Sequence, residues 1–201
     1  MSVTMAYMSE NNIYLCADNR RSNPEDGSFC DDVTKIVVLN DHLAVACSGY
    51  YGVQLLFEKL VNEYKEQIDF RAEDVIFRFK TIYRMHKYSL SSKKRRGFKE
   101  IVARFLIAGK DRNDQDCLVV MSFLKGVLEG PHAIQKIILP PTDDCVEDCK
   151  RIFVQNLHSG DRSCFQKTVK EVSKISPAVS PSGDIWIFDR KNGCSTMQHF
   201  E

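Results

Sequence analysis

The residue best placed to do chemistry is Ser2. It directly follows Met1, and a small residue in that position is what methionine aminopeptidases accept. Serine becomes nucleophilic only with a base beside it, and an N-terminal serine carries its own. That base is an α-amine of unperturbed pKa about 8, a few bonds from the hydroxyl. Removal of Met1 would therefore create a nucleophile for acyl transfer without any propeptide. Taken alone, Ser2 reads as no more than the second residue of a chain.

Other reactive groups point less far. Cys145 and Cys149, in CVEDC, would bring two thiols to one face of a helix, but no second Cys or His pair stands at zinc-finger spacing. Packing is the reading there, and neither a metal nor a cofactor is expected. His86 sits in a helical pattern with no hydrolase motif around it. The cationic run in SSKKRRGFK has little aromatic interleaving and reads as a solvated loop. The 28 Lys and Arg balance 27 Asp and Glu, so no global field favours nucleic acid or an acidic surface. Eight cysteines without a signal peptide, several inside apolar patterns, indicate a reducing, cytoplasmic setting. No apolar run reaches the roughly 18 residues of a membrane span.

The elements that must hold Ser2 follow from periodicity. Residues 2 to 8 and 12 to 18 have the β-branched, aromatic and apolar character of strands around the polar turn SENN. The charged, turn-rich stretch NRRSNPEDGSFCDD follows, a long loop of the kind that often carries function. TKIVVL and HLAVACSG form two more strands around Asn40 and Asp41, and Gly49 and Gly52 bracket a strand-to-helix transition. Helices are expected over about 52 to 69 and 71 to 90. Strands then come from IVARFLIAGKD, QDCLVVMSF and AIQKIIL. Two helices follow, the first capped by Thr142 or Asp143 and carrying Val146, Cys149, Ile152, Phe153 and Leu157, the second carrying Phe165, Val169, Val172 and Ile175. SPSGDIWIFDR closes the chain as a strand. With 201 residues and no repeat or linker, one domain is expected, an α+β fold with two sheets between helical layers.

SVTMAYM, IYLCADNRRS, DDVTKIVVL and HLAVACSGYYG, followed by a helix, resemble the N-terminal half of the proteasome β-subunit family of N-terminal-nucleophile hydrolases. FLIAGKD and the late SPSGDIWIFDR are similar to later strands of that family. The resemblance implies a four-layer αββα sandwich of two mainly antiparallel sheets. It implies that Ser2 attacks a carbonyl carbon, that Lys35 supplies positive charge, that Asp18 holds Lys35 charged and that the Gly49 N–H stabilises the oxyanion. Ser182 matches the serine of the family's late Asp-x-x-Ser-Gly pattern. It further implies a peptide or unfolded-protein substrate, homo-oligomeric rings and an ATP-dependent unfoldase as partner.

The chain also departs from that family. Its nucleophile is usually threonine, and Thr4 is two residues inside the strand without a free amine. IILPPTDD stands where a Ser-Gly turn is expected, and Val179 stands where the late pattern has its acid. Two alternatives to a peptidase therefore stay open: an inactive ring subunit that keeps the fold, and an amidohydrolase acting on a small amide.

Overall fold

The computed structural model describes residues 2–22, 27–49, 69–89, 102–124, 126–157 and 162–201, together with Glu58 and Asn62. Asp69, the expected end of the helix over 52 to 69, is not helical, and the rest of that helix, the run SSKKRRGFK and the side chains of Ile82 and His86 lie outside the described residues.

In chain order the strands are β1 (Thr4–Met8), β2 (Asn12–Asp18), β3 (Arg21–Ser22), β4 (Phe29–Cys30), β5 (Ile36–Asn40) and β6 (Leu43–Gly49). Helix α1 (Ala72–Ser89) precedes β7 (Ala103–Lys110), β8 (Asp116–Leu124), β9 (Val127–Ala133) and β10 (Lys136–Leu139). A 3-10 turn (Asp143–Cys145) leads into α2 (Val146–Leu157) and α3 (Ser163–Ile175), and β11 (Gly183–Asp189) and β12 (Cys194–Phe200) end the fold. One five-stranded sheet runs β10-β1-β2-β11-β12, a second runs β5-β6-β7-β8-β9, and β3 and β4 pair as a short hairpin. Every strand pairing among the described residues is antiparallel. The chain is thus a mixed α+β protein.

Two-residue alternation sorts the side chains of the central strands between two apolar environments. Along β6, Leu43, Val45 and Cys47 join Phe70, Val75 and Phe79 at α1, whereas Ala44 and Ala46 face the other way. Along β2, Tyr14 and Cys16 meet Phe153, Phe165 and Val169 of α2 and α3, whereas Ile13, Leu15 and Ala17 face the second sheet. A third cluster therefore joins the two sheets, built from Ala6, Ala17, Ala44, Ala46, Leu106, Ala108 and the stacked pair Trp186 and Phe188. Strands buried on both faces explain the nearly unbroken apolar runs read from the sequence.

Besides the short β3–β4 hairpin, which forms within the stretch read as a loop, two longer strands escape that reading. VLEGPHA forms β9, and CSTMQHF forms β12. Both are sheet edges with much of their surface in solvent, so neither needs the apolar alternation by which strands are recognised. Thr142 does precede the 3-10 turn, but it caps no backbone N–H. Its hydroxyl lies 3.2 Å from Cys145 Sγ instead. Cys145 and Cys149 are both buried in the cluster under α2 and α3, where burial pushes the Cys149 thiol up to about 12. All eight cysteines are free thiols. Among the described residues no helix is long and apolar enough to cross a membrane, and no group of His, Cys, Asp or Glu is arranged to hold a metal.

Candidate functional site

At one end of both sheets, the last residue of β2 is a fully buried acid. The Asp18 N–H donates to Val3 O at 3.2 Å, which extends the β1–β2 ladder to its tip and aims the carboxylate back at the start of β1. Four groups surround that carboxylate. Oδ1 accepts the Val3 N–H at 2.9 Å and pairs with Lys35 Nζ at 3.0 Å. Oδ2 accepts the N–H groups of Arg20 at 3.0 Å and Ser180 at 3.3 Å. Asp18 is thus the point at which β1, β2, the segment before β5 and the loop before β11 converge.

Lys35 is held by its backbone as well. Its carbonyl accepts the Cys47 N–H at 3.0 Å, which carries the β5–β6 pairing one residue beyond β5. The side chain is 5% exposed and its ammonium is fully buried, and among the described residues it finds no well-aligned acceptor to add to its ion pair with Asp18. Burial pushes the Lys35 amine below its ordinary value, against the pull of Asp18, and burial likewise pushes the Asp18 carboxyl up. The expected lift of Lys35 by Asp18 is present, but loss of solvent outweighs it. An ammonium so destabilised is a better proton donor than a surface lysine.

Gly49 ends β6. Successive N–H groups in a strand point to opposite edges, so the Cys47 N–H, spent on Lys35, fixes the direction of the Gly49 N–H two residues later. It points to the same edge, beyond the end of β5. Only glycine fits: φ is +102°, and a Cβ would lie 2.2 Å from Val102 O.

Ser2 is 7% exposed and immediately precedes the N–H that Asp18 binds. Its side chain shares a strand face with Thr4 and Ala6, the face that meets the second sheet. Ser2, Asp18, Lys35 and Gly49 therefore gather at one sheet end. Thr4 is fully buried, and its hydroxyl has no partner among the described residues. The β1–β10 pairing ends at Thr4 and Leu139, and the next two residues, Pro140 and Pro141, have no N–H with which to extend it.

Ser182 joins the same end from the other side of β2. Its carbonyl accepts the Asn19 N–H at 3.2 Å, and its hydroxyl lies 2.8 Å from that of Ser180. Val179, where an acid was sought, is fully buried against the helices with Phe165 and Val172, so a carboxylate there would enter an apolar cluster. Sequence reasoning missed Ser180, Arg20 and Asp31. Arg20 donates from Nε and Nη2 to Asp31 at 2.7 and 2.5 Å and from Nη1 to Pro177 O at 2.8 Å, and its guanidinium lies over the Phe29 ring. For Arg20 and Asp31 the available signal was the charge and turn content of the 19–32 loop, and for Ser180 there was none.

No protein-family model matches the chain, and no curated protein matches it either.

Proposed function

We propose that the chain is an N-terminal-nucleophile peptidase of the proteasome β-subunit type, on a four-layer αββα sandwich, which hydrolyses peptide bonds through Ser2 once the Met1–Ser2 bond is cut. The observation that carries this reading is one carboxylate oxygen, Asp18 Oδ1, shared between the backbone at the base of Ser2 and the buried Lys35 ammonium. A structural ion pair at a sheet end needs no such link to the second residue of the chain.

In this mechanism the Ser2 α-amine takes the hydroxyl proton as Oγ bonds to the substrate carbonyl carbon. Lys35, destabilised as an ammonium by burial, favours the alkoxide. The Gly49 N–H faces the developing oxyanion, a contribution of about 2.7 to 4 kcal/mol where such a donor has been removed from a protease. The amine then returns its proton to the leaving amine, and water releases the acyl group. The order of layers, with α1 on one sheet, α2 and α3 on the other and the small-residue cluster between sheets, supports the αββα reading. Homo-oligomeric rings would enclose Ser2, with peptide or unfolded protein as substrate and an ATP-dependent unfoldase delivering it.

Intact mass and N-terminal sequencing of the purified chain test the premise, and Ser2 should be the first residue. Ser2→Ala should abolish peptide turnover and labelling by an electrophilic peptide, and a retained Met1 should do the same. Labelling at another residue would overturn the assignment.

The second reading is a catalytically silent ring subunit. It is favoured by the absent Ser-Gly turn, in whose place Pro140 and Pro141 have no N–H to offer, and by the apolar burial of Val179. A free Ser2 with no turnover and a mass many times 23.1 kDa would select it.

A further inference from the structure

Asp18 Oδ2 draws its two N–H donors from segments far apart in sequence, Arg20 beside it and Ser180 on the loop before β11. The two segments are stitched together around that oxygen. The Arg20 guanidinium reaches across to Pro177 O, three residues before Ser180, while Asp31 grips its other nitrogens in a two-point contact. The Asn19 N–H closes the circuit on Ser182 O. Within the loop, Ser180 Oγ accepts the Ser182 N–H at 3.3 Å and meets the Ser182 hydroxyl at 2.8 Å, so the turn that aims the Ser180 N–H is bonded to itself. Ser180 is 1% exposed, so water cannot take over these bonds. Asp31, by contrast, is 42% exposed at its side chain and has no packing duty.

We infer that Arg20, Asp31 and Ser180 form a clasp that positions two N–H donors on Asp18 and thereby sets the charge of the Asp18–Lys35 pair. The clasp residues are positioning residues, and the assignment rests on the proposal that this pair serves Ser2. Its logic is electrostatic. Burial opposes the Asp18 carboxylate, and each aligned N–H restores part of what water would have supplied. Among the described residues the ionisable groups facing the pair are Arg20, Arg21, Asp31 and the Cys16 thiol, joined by the Ser2 α-amine once Met1 is removed. Asp31 is held below the usual carboxylate range, first by its bonds to Arg20 and then by the Ser180 hydroxyl, so the clasp stays charged where Asp18 itself begins to take a proton.

The test uses the chain with Ser2 free and a fluorogenic peptide. Asp31→Asn and Ser180→Ala should each lower kcat about tenfold, the loss expected for one hydrogen bond to a charged group, with KM within about twofold. The Ser2 α-amine sets the first break of the acid limb of the rate profile, and both variants should move the second, steeper break below it to higher pH, because an Asp18 with fewer donors protonates sooner. Asp31→Glu and Ser180→Thr should restore most of the rate. Wild-type kcat and an unmoved acid limb in Asp31→Asn overturn the clasp. A lower kcat with the limb unmoved also overturns it, since that is the mark of a structural role alone. If Ser180→Ala does not fold, Asp31→Asn decides. Ser2→Ala in parallel separates the two claims. If Ser2→Ala still turns over peptide, or the wild type turns over none, the nucleophile reading falls and the clasp with it. If Ser2→Ala is dead and Asp31→Asn matches wild type, only the clasp falls.

Discussion

The two ends of the sheet pair each carry a carboxylate bound to a lysine, and they differ in nearly everything else. Asp116, at the start of β8, sits at the opposite end from Asp18 and joins the sheets on the outside. It meets Lys110 Nζ at 2.8 Å and Arg190 Nε at 2.7 Å, and Arg190 also donates to the carbonyls of Ser9 and Glu10 in the β1–β2 turn. Its side chain is 17% exposed, whereas that of Asp18 is fully buried. Burial pushes Asp116 up, but two cations outweigh it and hold its carboxyl below the usual range. Asp18 has one cation and no solvent, and burial wins. A second cation and some water convert the same pair of residue types from a strained charge into a staple. The strained pair stands beside Ser2, and perturbed groups gather where chemistry is done.

The contrast breaks most sharply if the lysines are exchanged for alanine. Lys35→Ala leaves a carboxylate buried without its counter-charge, which should destabilise the fold by about 3 to 5 kcal/mol. Lys110→Ala should cost about 1 kcal/mol or less, because Arg190 and water remain. Urea unfolding of both variants measures the difference, and equal costs would erase the distinction. Ser2→Ala is for this reason the cleaner probe of chemistry, since it removes no buried charge.

Glycines sharpen the same comparison at smaller scale. Gly49→Ala combines a left-handed φ with a Cβ 2.2 Å from Val102 O, so β6 and β7 must part at the mouth of the site. A cost of about 2 to 3 kcal/mol is expected. Gly193, in the β11–β12 turn at the far end, also has a positive φ of 68°, but a Cβ there would meet nothing within 4 Å. Gly193→Ala should cost about 1 kcal/mol. Thermal unfolding should rank them in that order.

The smallest effects are in the pH dependence, and their signs oppose. Asp116 has a folded pKa below its unfolded value of about 3.9, so its contribution is full above that value and is lost as pH falls through the folded one. Asp18 has a folded pKa above the unfolded value, so the folded state binds the extra proton between the two. Stability therefore falls as pH rises through that window. Asp116→Asn should flatten the stability curve below about pH 4, and Asp18→Asn should flatten it above. Denaturant midpoints across pH 2.5 to 7 check both slopes, and a matching sign would contradict the difference in burial.

What could be read from the chain itself was whatever repeats at short range. Runs of apolar and β-branched residues placed β1, β2, β5, β6, β7, β8, β10 and β11, and the central ones are nearly unbroken because they bury both faces. The 3.6-residue period placed α1, α2 and α3 because each helix lays an apolar stripe on a sheet. Ser2, Asp18, Lys35, Gly49 and Ser182 were singled out by type, order and resemblance. The edge strands β9 and β12 were not legible, since a strand half in solvent has no pattern to keep. Nor was the sum acting on Lys35, whose charge depends on how much water the closed sheets exclude. The clasp was illegible for the same kind of reason. Ser180 and Asp18 are separated by 162 positions, and only the pairing of β11 with β2 brings the Ser180 N–H to the Asp18 carboxylate. Local sequence carries local periodicity, whereas a buried carboxylate takes its donors from whichever segments the tertiary fold closes around it.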